Sequence, residues 1–353
     1  MSDERHVVVV GSGAAGTAAA LAARQAGARV TMIRGRTGAT SLGSGALDGN
    51  PDAEVPTLDL FELGACRLAT SAGTIRAAAG RDRALADLAA TRGPVLVARV
   101  VHPAWDADAL ADAYAELDSR GFVARDIGLV MHPDERVMSH AEIAARHDDS
   151  SRLARAAERI RAALAGGEFG AVLLPPWLGV DRPRARELSE LVGLPCGEIL
   201  APIDGPAGLR FERARDRSLQ NASIKVVPGF IAKISDAGGD GVVLATGGLL
   251  GGLEYTPGAP GRAPFALAYD APVTVGRCGH PFVAPGSVFG VAPESLAWPF
   301  ESTPAIESVG ILVDAAFRAG PNVWACGDAL EGQPRTMLSA LATGVAAGRA
   351  AAA

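Results

Sequence analysis

An α/β chain, built on a Rossmann-like domain with an inserted α/β lobe, is what the 353-residue sequence predicts, and three stretches predict it. They are HVVVVGSGAAGTAAALAARQAGARVTMIR (His6 to Arg34), VVLATGG (Val242 to Gly248) and NVWACGD (Asn322 to Asp328). Each contains an apolar run that stops in glycine or another small residue. That is the pattern of a parallel strand buried on both faces, whose end offers bare backbone to a ligand.

In the first stretch, Val7 to Val10 reads as a strand, followed by Gly11, Gly13 and Gly16 at the spacing G-x-G-x-x-G. The first glycine permits the sharp turn, the second lets backbone approach a pyrophosphate, and the third brings the helix close to the strand. The turn Gly11-Ser12-Gly13-Ala14-Ala15-Gly16 thus aims helix-start N–H groups at two phosphates, which points to a dinucleotide. Ala18 to Ala23 are mostly small, for close helix–sheet packing, and Gly27 stands where the helix should end in a left-handed residue. After the second strand, Val30 to Ile33, the acid expected for a ribose hydroxyl is missing, because Arg34 and Gly35 follow. This tells against a plain NAD site. The loop from Arg34 to Gly49 is rich in Gly, Ser and Thr. Through Arg34, Gly35, Ser41, Ser44, Gly45 and Ala46 it suits the edge of a flat isoalloxazine, since few bulky side chains keep backbone donors away. A flexible surface loop has the same composition.

Residues 51–92 read as an irregular Pro-containing stretch ending in a helix, Arg81 to Thr91. From Pro94 a second strand–helix–strand unit begins, without the glycine fingerprint. Val95 to Val101 is a strand, Asp106 caps a helix to about Arg120, Gly121 stops it, and Phe122 to Met131 is extended. Ser139 and Glu142 make a capping box that starts a helix near His140. The next helix, about Ser151 to Ala165, sets Leu153, Ala157, Ile160 and Leu164 on one stripe. Ala171 to Leu174 is a short buried strand leading into Pro175-Pro176-Trp177-Leu178-Gly179, a rigid loop suited to roofing a pocket or to an ordinary packed corner. A helix over Arg182 to Val192 and the segment Leu194 to Pro202 complete the lobe. A helix from Gly205 to about Leu219 then leads to strands over Ile224 to Val227, Phe230 to Ile234 and Gly241 to Leu244. A last helix runs from about Met337 to Ala352. The domains divide as 1–92, the first part of the nucleotide-binding domain, 93–204, the inserted lobe, and 205–353, the second part.

The strand ends near residues 10, 245 and 326 converge on one ligand in such a fold. Thr246 and Gly247 bring backbone to it, as does Gly327. Asp328 suits a ribitol hydroxyl, and the start of the last helix, with Ser339, Ala340 and Leu341, points N–H groups at a flavin pyrimidine oxygen. The pyrophosphate turn favours FAD, with FMN as the alternative.

A net charge of −6 and scattered basic residues leave no stripe to neutralise nucleic-acid phosphates. No apolar run reaches the roughly twenty residues of a membrane span. With the first strand starting almost at once, a cytoplasmic protein without a signal peptide is expected. Cys66, Cys196, Cys278 and Cys326 are isolated, with no C-x-x-C pair, so no iron–sulfur or zinc site is expected and no metal residue is assigned. His102, His132, His140 and His280 could each carry a proton, but for each a packed structural role is the stronger reading. Arg76, Arg210, His280 and Arg335 stand in loops beside the flavin motifs and are candidates for an anionic substrate. None is paired by spacing with a second catalytic group, so no catalytic residue is assigned.

The stretches VVVVGSGAAG, VVLATGG and NVWACGD resemble the FAD-binding superfamily that includes the flavoproteins of succinate dehydrogenase and fumarate reductase. TGATSLGSGALDG, Gly73-Thr74-Ile75-Arg76, Leu194-Pro195-Cys196 and Gly208-Leu209-Arg210 are similar to the B-type flavin subunit of the anaerobic glycerol-3-phosphate dehydrogenase, in order and rough spacing from residue 6 to 330. The ending Glu331 to Arg335 and Ser339 to Gly344 is closer to the general flavoprotein pattern. The resemblance implies a flavin-bearing subunit that works with an FAD-containing dehydrogenase subunit and an iron–sulfur subunit that passes electrons to membrane quinone. It implies flavin contacts at Gly11, Gly13, Gly16, Ser44, Gly45, Thr246, Gly247, Gly327 and Asp328. Membrane contact would then be indirect, at the inner face of the cell membrane through the partners. Two other classes fit the motifs: a stand-alone FAD-dependent oxidoreductase of the fumarate reductase type, and a structural subunit with a vestigial flavin site.

Overall fold

A computed structural model describes residues 4–35, 38–202, 205–231, 234–248 and 309–353, with short strand pieces at 255–256, 266–267, 275–277 and 280–281. The chain forms two compact units. The first comprises residues 1–40, 52–56 and 216–353, and the second 41–51 and 57–215. The sequence places divisions at 92 and 204; the compact units divide at 40–41, 51–57 and 215–216.

The first unit is built on β1 (His6–Val10), α1 (Ala14–Gln25), β2 (Arg29–Arg34), β10 (Lys225–Pro228), β11 (Gly241–Leu244), β12 (Arg318–Gly320), β13 (Val323–Ala325) and α7 (Met337–Ala352). Its six-stranded sheet has the order β10-β2-β1-β11-β13-β12. All neighbours are parallel except β12 with β13. Val7, Val8 and Val9 are at most 1 % exposed, as a strand covered on both faces requires. Helices α1 and α7 pack backbone to backbone. A Cβ on Gly344 would lie 2.3 Å from the Ala15 carbonyl oxygen, and one on Gly348 would lie 2.2 Å from that of Ala19. The alanine-rich composition of both helices is thus a condition of their approach. Gly27 has φ +95°, ending α1 as the sequence predicts.

The second unit has a four-stranded parallel sheet, β7 (Phe122–Asp126), β6 (Val95–Arg99), β8 (Ala171–Leu174) and β9 (Cys196–Glu198), in that order. Around it run α2 (Ala107–Leu117), α3 (His140–Arg146), α4 (Ser150–Leu164) and α5 (Ala185–Val192). Asp106 caps α2 and the Ser139–Glu142 box caps α3, both as predicted. An antiparallel sheet, β3 (Ala46–Leu47), β5 (Ile75–Asp82) and β4 (Phe61–Ala69), belongs to the same unit. Helix α6 (Pro206–Asn221) leads back to the first unit.

One predicted helix does not form. The segment 81–91 is not helical, because its N–H groups bond elsewhere: Ala86 N–H donates to the Glu198 carbonyl and Leu88 N–H to that of Arg67. Of the strand expected over Phe230 to Ile234, the described residues Phe230 and Ile231 are irregular and Ile234 opens a 3₁₀ turn, Ile234–Ala237. Among the described residues no helix is long and apolar enough to cross a membrane.

Candidate flavin site

In the first unit the carboxyl ends of β1, β11 and β13 lie side by side, at the place where the chain order of the sheet reverses. Ligands of open parallel sheets bind at such a reversal. Gly11 turns the chain there with φ +113°, and its N–H donates to the Ile33 carbonyl at 3.0 Å. A Cβ at Gly11 would stand 2.1 Å from the Ala245 carbonyl oxygen, and one at Gly16 2.0 Å from that of Gly11. Both glycines are therefore demanded by the protein itself. Gly13 differs: its φ of −73° suits any residue, and a Cβ would meet only the Thr40 hydroxyl, at 3.1 Å. Nothing in the packing requires a glycine at this position, which is what a ligand cradle predicts.

Gly13 is the N-cap of α1 and has no side chain to satisfy the first turn. Thr40 takes the Ala14 N–H through its hydroxyl at 3.2 Å. The turn Ser12 to Gly16 therefore opens a twelve-residue helix whose capping comes from a loop and not from its own N-cap.

The second strand end is fixed by the Ala245 N–H, which donates to the Val10 carbonyl at 2.8 Å. Thr246 follows, then Gly247 at φ +77°. The third is fixed by the Cys326 N–H on the Leu244 carbonyl at 3.0 Å. Gly327 has φ +70°, and a Cβ there would press on the Ala15 Cβ at 2.6 Å. Its N–H donates to the Thr343 hydroxyl of α7 at 2.9 Å, so the strand end is bolted to that helix. Gly11, Ala15, Ala245, Thr246, Gly247 and Gly327 thus form one contiguous patch of main chain.

Asp328 is half-buried beside it. Burial pushes its carboxyl above the usual carboxylate range, against the opposing pull of the Arg335 guanidinium. Arg335 stands at the same edge: a Cβ on Gly248 would fall 2.0 Å from its Nη1 and 3.0 Å from the Asp328 carbonyl oxygen. At the start of α7, Thr336 caps the helix by accepting the Ser339 N–H at 3.2 Å. Ala340 approaches Gly327, with 3.9 Å between its Cβ and one built there. The Leu341 side chain is wholly buried, so only its backbone is available to a ligand.

The remaining predicted residues fall differently. Arg34, the last residue of β2, forms a forked ion pair with Asp216 of α6, and Gly35 follows it. Ser41, Ser44, Gly45 and Ala46 belong to the second unit. There the Ser41 hydroxyl donates to Glu212 at 2.6 Å, the Ser44 carbonyl accepts the Ala201 N–H, Gly45 has φ +94°, and Ala46 pairs with Arg81. Arg76 is paired with Asp48 at 2.7 Å. Arg210, expected in a loop facing an anionic substrate, is instead fully buried in α6. Its guanidinium is taken by Asp82 at 2.7 Å, Glu198 at 2.6 Å and the Gly179 carbonyl, so it holds the second unit together. The Trp177 loop is a packed corner, its indole N–H donating to His140 Nδ1 at 2.8 Å. His102 is buried, with Nε2 on the Met138 carbonyl and Nδ1 accepting the Ala104 N–H. The side chain of His280 lies outside the described residues. Asp216 escapes a reading of the sequence, because nothing in its spacing ties it to Arg34.

A family model described as pyridine nucleotide-disulphide oxidoreductase matches residues 5–50, the segment holding β1, the glycine turn, α1 and β2. No curated protein sequence matches the chain. Among solved structures, T. acidophilum thioredoxin reductase is similar at 12 % identity over 99 % of this chain and 98 % of that one, with a TM-score of 0.24. Mycobacterium smegmatis Sdh1 in complex with UQ1 shows 12 % identity over 99 % and 68 %, with a TM-score of 0.29. Iminodiacetate oxidase (IdaA) from Chelativorans sp. BNC1 shows 16 % over 97 % and 93 %, with a TM-score of 0.24. With the family match falling on the glycine turn and a parallel sheet around it, the chain carries a Rossmann-like FAD-binding domain.

Proposed function

We propose that this chain is the flavin-bearing relay of a respiratory dehydrogenase, resembling the B-type flavin subunit of the anaerobic glycerol-3-phosphate dehydrogenase. It would take electrons released from sn-glycerol 3-phosphate by an FAD-containing partner subunit and hand them to an iron–sulfur subunit and membrane quinone. The chain would sit at the inner face of the membrane through those partners. The observation that carries the reading is the patch of bare main chain at three strand ends, with Gly13 left unexplained by packing. Such a patch binds and orients a flat cofactor and supplies few side chains for substrate chemistry. The stretch TGATSLGSGALDG and the three shorter matches give the choice of family.

FAD, when bound, would supply reversible electron uptake. The turn from Gly11 to Gly16 would hold its pyrophosphate at the α1 N-terminus. Asp328 would accept from a ribitol hydroxyl, and the first turn of α7 would face the pyrimidine oxygens. Ser44 and Gly45 are carried as contacts by resemblance alone. Close main-chain packing around the ring would exclude water.

The test is the visible spectrum of the purified chain together with the mass of the flavin it releases. A yellow chain that is reduced by glycerol 3-phosphate only with its partner subunit present supports the relay. Reduction by substrate without any partner supports a stand-alone oxidoreductase and sinks the relay, and a colourless chain that takes up no flavin sinks both.

A further inference from the structure

We propose that Arg34, Asp216 and Phe230 seat the adenosine half of the dinucleotide; this rests on FAD occupying the glycine turn. In dinucleotide folds a carboxylate at the end of the second strand takes the ribose hydroxyls, and the sequence has Arg34 there instead. The fold supplies the missing acid through space. Asp216, from α6, meets the Arg34 guanidinium with both oxygens, Oδ1 at 2.5 Å from Nη2 and Oδ2 at 3.3 Å from Nη1. The fork holds the carboxylate in one orientation while leaving it reachable, with side-chain exposures of 31 % for Arg34 and 45 % for Asp216.

The pair is tied to the glycine turn by the main chain. The Gly11 N–H bonds to the carbonyl of Ile33, the residue before Arg34. On the other side β10 runs parallel to β2 with Pro228 opposite Arg34, and the Gly229 N–H donates to the Arg34 carbonyl at 3.0 Å. The next residue is Phe230, 68 % exposed. An aromatic ring that follows directly on the residue bonded to the Arg34 carbonyl would give a purine a face to stack on.

Charge decides which ribose fits. Arg34 alone would favour a 2′-phosphate, but Asp216 cancels its charge and would repel a phosphate dianion. A neutral diol donates to the carboxylate and meets no such penalty. The site therefore selects an unphosphorylated adenosine, and FMN, which ends before that point, makes no contact with it.

The full-length chain, stripped of flavin, is titrated separately with FAD and with FMN by flavin fluorescence. Asp216→Ala should weaken FAD about tenfold, the scale of one hydrogen bond to a charged group, with FMN unchanged. Phe230→Ala should weaken FAD at least about fivefold, again with FMN unchanged. Both sites are exposed, so the fold should survive, and Asp216→Asn, which keeps an acceptor, should recover part of the loss. FAD affinity within twofold of wild type in both alanine variants, an equal loss for FAD and FMN, or equal wild-type affinity for the two flavins would overturn the proposal. A wild-type chain that binds neither flavin would overturn the FAD reading beneath it.

Discussion

Replacing Gly13 by alanine puts ligand binding and folding on separate scales. The backbone there is at φ −73°, so the methyl group brings no conformational strain. Within the protein it meets only the Thr40 hydroxyl, at 3.1 Å, which can rotate away. The cost is the 3.2 Å bond that hydroxyl accepts from the Ala14 N–H, about 1 kcal/mol. On the ligand side the methyl group displaces a pyrophosphate from the N–H groups of the turn. Losing two charge-assisted hydrogen bonds of about 1.5 kcal/mol each gives about 3 kcal/mol, or more than about 100-fold in FAD affinity. Gly16→Ala is the contrasting variant. Its Cβ would lie 2.0 Å from the Gly11 carbonyl oxygen, so folding itself should fail or weaken by about 1–3 kcal/mol or more. The assays are fluorescence titration with FAD and urea unfolding of the flavin-free chain. If Gly13→Ala binds FAD within threefold of wild type, the pyrophosphate does not sit on this turn.

Two further predictions concern the second unit. Arg210→Met should cost about 3–5 kcal/mol in urea unfolding, because it strands the buried carboxylates of Asp82 and Glu198; a loss below about 1 kcal/mol would show the cluster to be dispensable. Glu135 gives a pH dependence. Burial raises its carboxyl, but the Arg152 fork, the Met131 N–H and Arg146 outweigh this and bring it from 4.5 down to about 2. A carboxyl lowered by folding contributes stability above its unfolded value and loses it as pH falls through the folded one. Unfolding free energy should therefore fall between about pH 4.5 and 2, and Glu135→Gln should flatten that slope. An unchanged slope in the variant would assign the acid sensitivity to other groups.

The parts legible in the sequence are those set by local chemistry. Val7 to Gly16 reads correctly because strand, glycine turn and helix follow one another within ten residues, and Ser139 with Glu142 marks α3 because a capping box is a contact across three residues. The antiparallel pair β4–β5 is hidden within a stretch that reads as irregular. Its alternation breaks at a register shift between Leu63 and Cys66, where Gly64 has φ +136°, so a period of two never accumulates. The segment 81–91 has helical composition, yet its N–H groups find partners on Arg67 and Glu198, and tertiary bonding overrides propensity. Arg210 and Asp216 are six residues apart on one helix, one buried with two acids and the other paired with Arg34 in the first unit. Only the folded chain distinguishes those environments.

The matched family description joins a pyridine nucleotide to a disulphide, and the described cysteines bear on whether that second half applies. Cys326 is the one beside the flavin patch, immediately before Gly327, and it is wholly buried with its thiol pushed up to about 12. Cys196 is raised to about 12 and Cys66 upward as well, both by burial. A thiol–disulphide relay needs a thiolate at neutral pH, which burial in apolar surroundings withholds. Cys326 therefore acts as a small apolar side chain that lets β13 end close under α7. Cys326→Ala should leave the rate of flavin reduction within twofold of wild type while lowering stability by about 1 kcal/mol, the loss of one small buried group. A variant that keeps its flavin but no longer accepts electrons would show that the thiol takes part after all, and would require it to move from its buried position during turnover.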